Sequence, residues 1–174
     1  MIRKYDKKDK EVGFEIIDKS KYGVVSMIDE DGFPYGLPLS IVRDGNTLYF
    51  HTGKIAKKAE IFKTNPNICI TFVSKAEVPQ KYTNEDLHEM KKESKEKVSK
   101  AVGDVFTMNY ESAIVKGKVE LIEKRENKMS IMEIFCNKYV PTKMDFFSIL
   151  ANRSLDAINV YKLEIEDITA KIKS

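Results

Sequence analysis

The spacing of apolar residues changes several times along the chain, and each change marks an element. YGVVSMI (22–28) and FPYGLPLSIVR (33–43) are β-rich runs separated by the turn sequence DEDG (29–32), which predicts a hairpin. Pro34 and Pro38 cannot donate ladder hydrogen bonds, so the second run should have an edge, a bulge, or one side facing something other than a strand, such as a ligand. After the turn DGN (44–46), TLYFH (47–51) puts Leu48 and Phe50 on one face, Tyr49 and His51 on the other. In IAKKAEIFKT (55–64), Ile55, Ala59 and Phe62 recur at helical spacing, and Asn65-Pro66 supplies the stop. NICITFV (67–73) is a further strand.

Residues 84–102 change character to dense alternating charge, with Leu87, Met90, Val98 and Ala101 as a thin apolar stripe, which predicts a solvated, mobile helix inserted in the fold. SAIVKGKVELI (112–122) is a long strand with a bulge or bend expected at Gly117. Residues 125–139 place Met129, Met132, Ile134, Phe135 and Tyr139 near one helical face, and Pro141 ends that helix. AINVYKLEIEDI (157–168) closes the chain as a strand. About six strands with two or three peripheral helices predict a mainly β fold, an antiparallel barrel that is closed or nearly so.

Composition narrows the function. With 174 residues, 42% of them hydrophobic, the chain suits one domain (1–174) with a single core. The formal charge of +3 is too slight to indicate nucleic acid. The charged start has no apolar core after it, and no run of about 18 apolar residues offers a membrane span, so a cytoplasmic protein is expected. Cys69 and Cys136 stand far apart without CxxC spacing and read as small hydrophobes, not a disulfide.

Several chemistries are missing by spelling. GxGxxG, GxxxxGK[ST], GxSxG and HExxH do not occur, and His88-Glu89 has Lys92 where a second histidine would stand. Two histidines and two cysteines leave few ligands for a metal, so none is expected, and demanding chemistry must come from a cofactor. The stretch YFHTGKIAKKAEIFKTNP (49–66) shows where one could sit. Lys57 and Lys58 stand in the first turn of the predicted helix, where unpaired N–H groups and the helix dipole favour an anion, and Thr52 and Gly53 allow close backbone approach. The outline is a phosphate cradle, although lysines at a helix start also serve as ordinary solvated charges. His51 reads either as a proton donor or substrate contact, or as a strand-end histidine satisfied by a backbone carbonyl. His88 is surface; Tyr49, Phe50 and Phe72 suit the barrel core; Phe146 and Phe147 fit a dimer contact or packing within the subunit.

The stretch from Tyr22 to Val73 resembles the first half of the pyridoxamine 5′-phosphate oxidase-like FMN-binding split barrels, in particular their nitroimidazole-resistance branch. It runs strand, DG turn, proline-bearing strand, DG turn, then aromatic-His-small-x-x-x-x-Lys-Lys and a helix ending in Asn-Pro. TMNYESAIVKGKVELI (107–122) resembles the family's Tyr-x-Ser strand and VYKLEIEDITAK (160–171) its closing strand, leaving 75–104 as an insertion. The resemblance implies a six-stranded antiparallel split β-barrel and a homodimer with FMN at the interface. Lys58, helped by Lys57 and Thr52, would hold the phosphate; Pro38, Leu39 and Ser40 would lie along the isoalloxazine ring; His51 would stand at its edge as the catalytic residue. Tyr110 and Ser112 would approach from the second subunit or complete the pocket wall. Ala170 replaces a glycine frequent in the family's closing Thr-Gly-Lys, and the IEDITAKIKS tail lacks the basic residues pyridoxamine phosphate oxidase proper carries there, which points away from vitamin B6 oxidation. The implied function is an oxidoreductase passing electrons from reduced FMN to a small, nitro-bearing or aromatic acceptor, with NADH or NADPH as donor. Alternatives are FMN or phosphorylated-ligand binding without turnover, and haem or deazaflavin in the same barrel.

Overall fold

The computed structural model describes residues 6–173; residues 1–5, the charged start of the sequence reading, lie outside that range. The elements in order are β1 (Asp6–Lys8), α1 (Lys10–Lys19), β2 (Gly23–Ile28), β3 (Pro34–Leu39), β4 (Val42–Asp44), β5 (Thr47–Gly53), α2 (Lys57–Thr64), β6 (Asn67–Glu77), α3 (Asn84–Glu93), α4 (Lys95–Val105), β7 (Asn109–Ile122), α5 (Arg125–Tyr139), α6 (Phe147–Ser154), β8 (Ile158–Glu164) and β9 (Asp167–Lys173). Short 3-10 turns flank α6.

The sheet is antiparallel in the order β3-β2-β6-β7-β8-β5-β4, with β9 also on β7 and β1 on β9. It curls around one core without closing, so the architecture is a mainly β, barrel-like split barrel with peripheral helices. The strand count is corrected from six to nine among the described residues. The 33–43 run breaks at Ser40–Ile41: β3 pairs with β2, whereas β4 pairs with β5. The closing run breaks at Ile165–Glu166, and β8 and β9 follow one another along the same strand, β7.

Side-chain alternation explains the core. In β5, Leu48, Phe50 and Thr52 turn inward while Tyr49 and His51 face out. Phe50 stacks on Tyr161 at 5.6 Å between centroids, and Phe62 of α2 meets both rings, so α2 plugs one end of the barrel. Ala59, Ile61 and Phe62 are the buried positions of α2; Ile55 lies outside the helix and is fully exposed, which corrects the predicted stripe. Pro34 and Pro38 sit on β3, an edge strand, where a missing N–H leaves no partner unsatisfied. The DG turns place Gly32 (φ +82°) and Gly45 (φ +56°) in the left-handed region that glycine adopts without strain.

Gly117 carries no register shift; the bulge lies in β6 between Val73 and Lys75. A Cβ on Gly117 would stand 2.3 Å from the Glu164 carbonyl oxygen, so the glycine allows the β8–β9 bend to cross β7 where its partner changes. α1 is absent from the sequence reading because its charges mask it: Asp9 caps Val12 N–H at 3.1 Å, Gly13, Ile16 and Ile17 are buried, and Val12 and Phe14 pack half-buried against the core. The charged 84–102 segment is two helices, not one. Ser94 ends α3 and caps α4, while Lys81 and Asp104 pair at 3.0 Å across the base. Among the described residues no helix is long and apolar enough to cross a membrane.

Candidate functional site

The outward face of β5 is covered by α5. The His51 ring meets Phe135 edge-on, centroids 5.2 Å apart at 83°, and Phe135 stacks on Tyr139 at 6.2 Å. The Tyr139 hydroxyl accepts from Ile41 N–H and donates to the Ile41 carbonyl, each at 3.1 Å. One line of aromatic rings thus joins the end of β5 to the Ser40–Ile41 junction.

Among the described residues, buried His51 Nδ1 has no hydrogen-bond partner, so the backbone carbonyl expected to satisfy a strand-end histidine does not reach that atom. Burial, and then the nearby Lys58 ammonium, pull the His51 pKa below its ordinary value. At neutral pH the ring is therefore uncharged, able to offer or accept a hydrogen bond but not to act as a standing imidazolium.

Lys58 is half-buried at the first turn of α2, and that turn has no side-chain cap, because Ala56 occupies the cap position. The Lys58 charge acts on His51, and the same helix start carries backbone donors without a side-chain cap, a combination that favours an anion. Lys57 is placed differently. Its Nζ pairs with Asp29 at 3.0 Å and lies 5.2 Å over the Tyr35 ring. Hydrogen bonding to Asp29 raises the Lys57 pKa and lowers that of Asp29, whose carboxylate also accepts from Phe33 and Asp31 N–H. Lys57 thus fastens α2 to the β2–β3 turn. Thr52 is buried, and its hydroxyl donates to the Gly53 carbonyl at 2.9 Å.

Pro38 and Ser40 are exposed and Leu39 is half-buried at the end of β3. Tyr110 and Ser112 lie elsewhere, at the start of β7, where the Lys171 ammonium sits 5.1 Å over the Tyr110 ring. Val160 pairs with both His51 and Ile122, and Ser112 precedes Ile122 by ten residues, about 33 Å of strand. Across the sheet, Leu39 pairs with Gly23, Gly23 with Phe72 and Phe72 with Ala113, so Ser112 is distant from His51 along β7 but lies about three strand spacings, roughly 14 Å, from the β3 end. Sequence reading placed Phe135 and Tyr139 on a core-facing stripe but gave them, Lys138 and Ile41 no part in the site; the contact between Tyr139 and Ile41 spans 98 positions and leaves no local signal. Ala170 is buried against α1 near Gly13, a packing position. Among the described residues no cluster of three or more His, Cys, Asp or Glu could hold a metal ion.

The model of the pyridoxamine 5′-phosphate oxidase family matches residues 9–172, nearly the whole described chain. The chain belongs to this family. Among solved structures, a protein of Bacteroides thetaiotaomicron assigned to 5-nitroimidazole antibiotic resistance is similar at 24% identity and TM-score 0.70, covering 97% of this chain and 87% of that one. A flavocytochrome of Azotobacter vinelandii is similar at 18% identity and TM-score 0.70, covering 95% and 68%. An FAD-binding protein of Mesorhizobium loti is similar at 14% identity and TM-score 0.62, covering 100% of both. No curated protein matches. These likenesses establish for the family member the split-barrel fold expected from its motifs.

Proposed function

We propose that this protein is an FMN-binding flavoprotein that passes electrons from the reduced cofactor to a small, nitro-bearing or aromatic acceptor. The observation that carries the reading is the meeting of the uncapped, Lys58-bearing start of α2 with the unpartnered His51 Nδ1, in a member of the pyridoxamine 5′-phosphate oxidase family. These residues fit the group. Lys58 and the α2 N–H groups would hold the phosphate, and the free edge of β3 at Pro38, Leu39 and Ser40 would lie along the ring. Lys57 and Thr52 would support the cradle, Lys57 through its hold on Asp29. Bound flavin would supply the electron transfer, with NADH or NADPH as donor. His51, neutral at physiological pH, would orient the acceptor through a hydrogen bond; the proton that the reduced acceptor takes up would come from solvent.

Tyr110 and Ser112, about three strand spacings or roughly 14 Å from the β3 end, would approach the flavin of a second copy or complete the pocket wall. A homodimer is supported by the outward face of the sheet, where Val24, Thr71 and Ile114 run in register without a charge and Val73 and Ile114 are exposed.

The test is the visible spectrum of the gently purified protein, repeated after adding FMN and desalting. Retention of about one flavin per chain supports the reading. A protein that cannot be loaded removes it. The flavocytochrome and the FAD-binding neighbour give a second reading, FAD or haem in the same barrel, which chromatography of the released cofactor and a Soret band separate from FMN.

A further inference from the structure

The last turn of α5 makes four hydrogen bonds to backbone outside its own helix. Tyr139 holds the amide and carbonyl of Ile41, and Lys138 Nζ donates to the carbonyls of Ile41 at 3.0 Å and Ile17 at 3.4 Å. Half-burying an ammonium costs free energy, and burial depresses the Lys138 pKa, so a helix that needed only an anchor would have been better served by an apolar residue.

The location explains the expense. Ser40–Ile41 falls where the chain leaves the ladder of β2 and enters that of β5, so no strand partner sets its height above the sheet. Side chains of α5 do so instead, and the same Tyr139 ring stacks on Phe135, which bears on His51.

We propose that Tyr139 and Lys138 are positioning residues of the cofactor site, holding the Ser40–Ile41 backbone where β3 ends and, through Phe135, the His51 ring in one fixed relation. This rests on the flavin reading above. A flavin lying against the end of β3 meets, at Ser40–Ile41, backbone that β2 does not pair and α5 braces, so its affinity and its reduction potential both depend on the brace.

Tyr139→Phe keeps the ring stack and removes the hydroxyl; Lys138→Met keeps the stem and removes the ammonium. The wild type and both variants are compared by amide exchange at Ile41, by FMN dissociation constant and by midpoint potential of the bound flavin. In Tyr139→Phe the Ile41 amide should exchange faster, FMN should bind about tenfold more weakly, and the potential should shift, with the melting temperature little changed. Lys138→Met should shift affinity and potential in the same sense, and it carries the test if Tyr139→Phe fails to fold. Wild-type affinity and potential in the variants, with or without faster exchange, overturns the positioning role and leaves the cofactor reading standing. A wild-type protein that takes up no FMN overturns both.

Discussion

Lys57 and Lys58 are neighbours in sequence with different surroundings. Lys57 spends its charge on Asp29, whereas Lys58 is half-buried beside His51, and no ion pair to it is found among the described residues. A charge-assisted hydrogen bond to phosphate contributes roughly 1.5–3 kcal/mol, so Lys58→Ala should weaken FMN binding by about 10- to 100-fold. Lys57→Ala should cost less, and Lys95→Ala, on the exposed α4, nothing measurable; titration of flavin fluorescence compares them. Equal affinities for Lys58→Ala and Lys95→Ala would remove Lys58 from the phosphate site. His51 supplies a pH test. Its pKa is lowered in the fold from 6.5, so the native state binds fewer protons than the unfolded state once pH falls below that value. The urea midpoint should therefore be insensitive to His51 above pH 6.5 and decline as pH falls toward the depressed folded value, and His51→Gln should flatten that decline. A steeper fall in the variant would contradict the neutral buried ring.

Among the elements, β7 does the most to shape the barrel, because its two ends pair with different strands. The exchange of partners happens beside Gly117, where the bend between β8 and β9 comes within reach of a Cβ. Gly117→Val should destabilise the fold by at least about 2–3 kcal/mol, read as a lower urea midpoint, since a backbone carbonyl cannot swing aside as a side chain can. A midpoint within error of wild type would mean that the crossing is looser than the geometry shows. The α3–α4 hairpin is the opposite kind of element. Of its side chains only Ala101 is buried, so its helices depend on the Thr83–Asp86 capping box, the Ser94 cap and surface ion pairs.

At the scale of the molecule, the open question is whether one copy makes a whole site. The uncharged outward row that runs from Pro38 at the β3 end through Val24 and Thr71 to Ile114 predicts that it does not, because a second copy seated there would cover the flavin's edge. Ile114→Lys should shift the protein from dimer to monomer in sedimentation and lower its flavin content in proportion; a monomeric wild type with full flavin would contradict this arrangement. Much of the architecture was legible in the sequence. Alternating Leu48 and Phe50 against Tyr49 and His51, the two DG turns, and the prolines on a strand now seen at an edge are local signals, because period-two alternation and glycine or proline backbone limits act within a few residues. The order of motifs likewise pointed to the family. The breaks at Ser40–Ile41 and Ile165–Glu166, the pairing of Lys57 with Asp29, and the line from Tyr139 through Phe135 to His51 were decided only by tertiary structure. Each depends on which strand lies next to which, a choice made by burial of the whole core and by contacts between residues far apart in the chain, such as Ile41 with Tyr139.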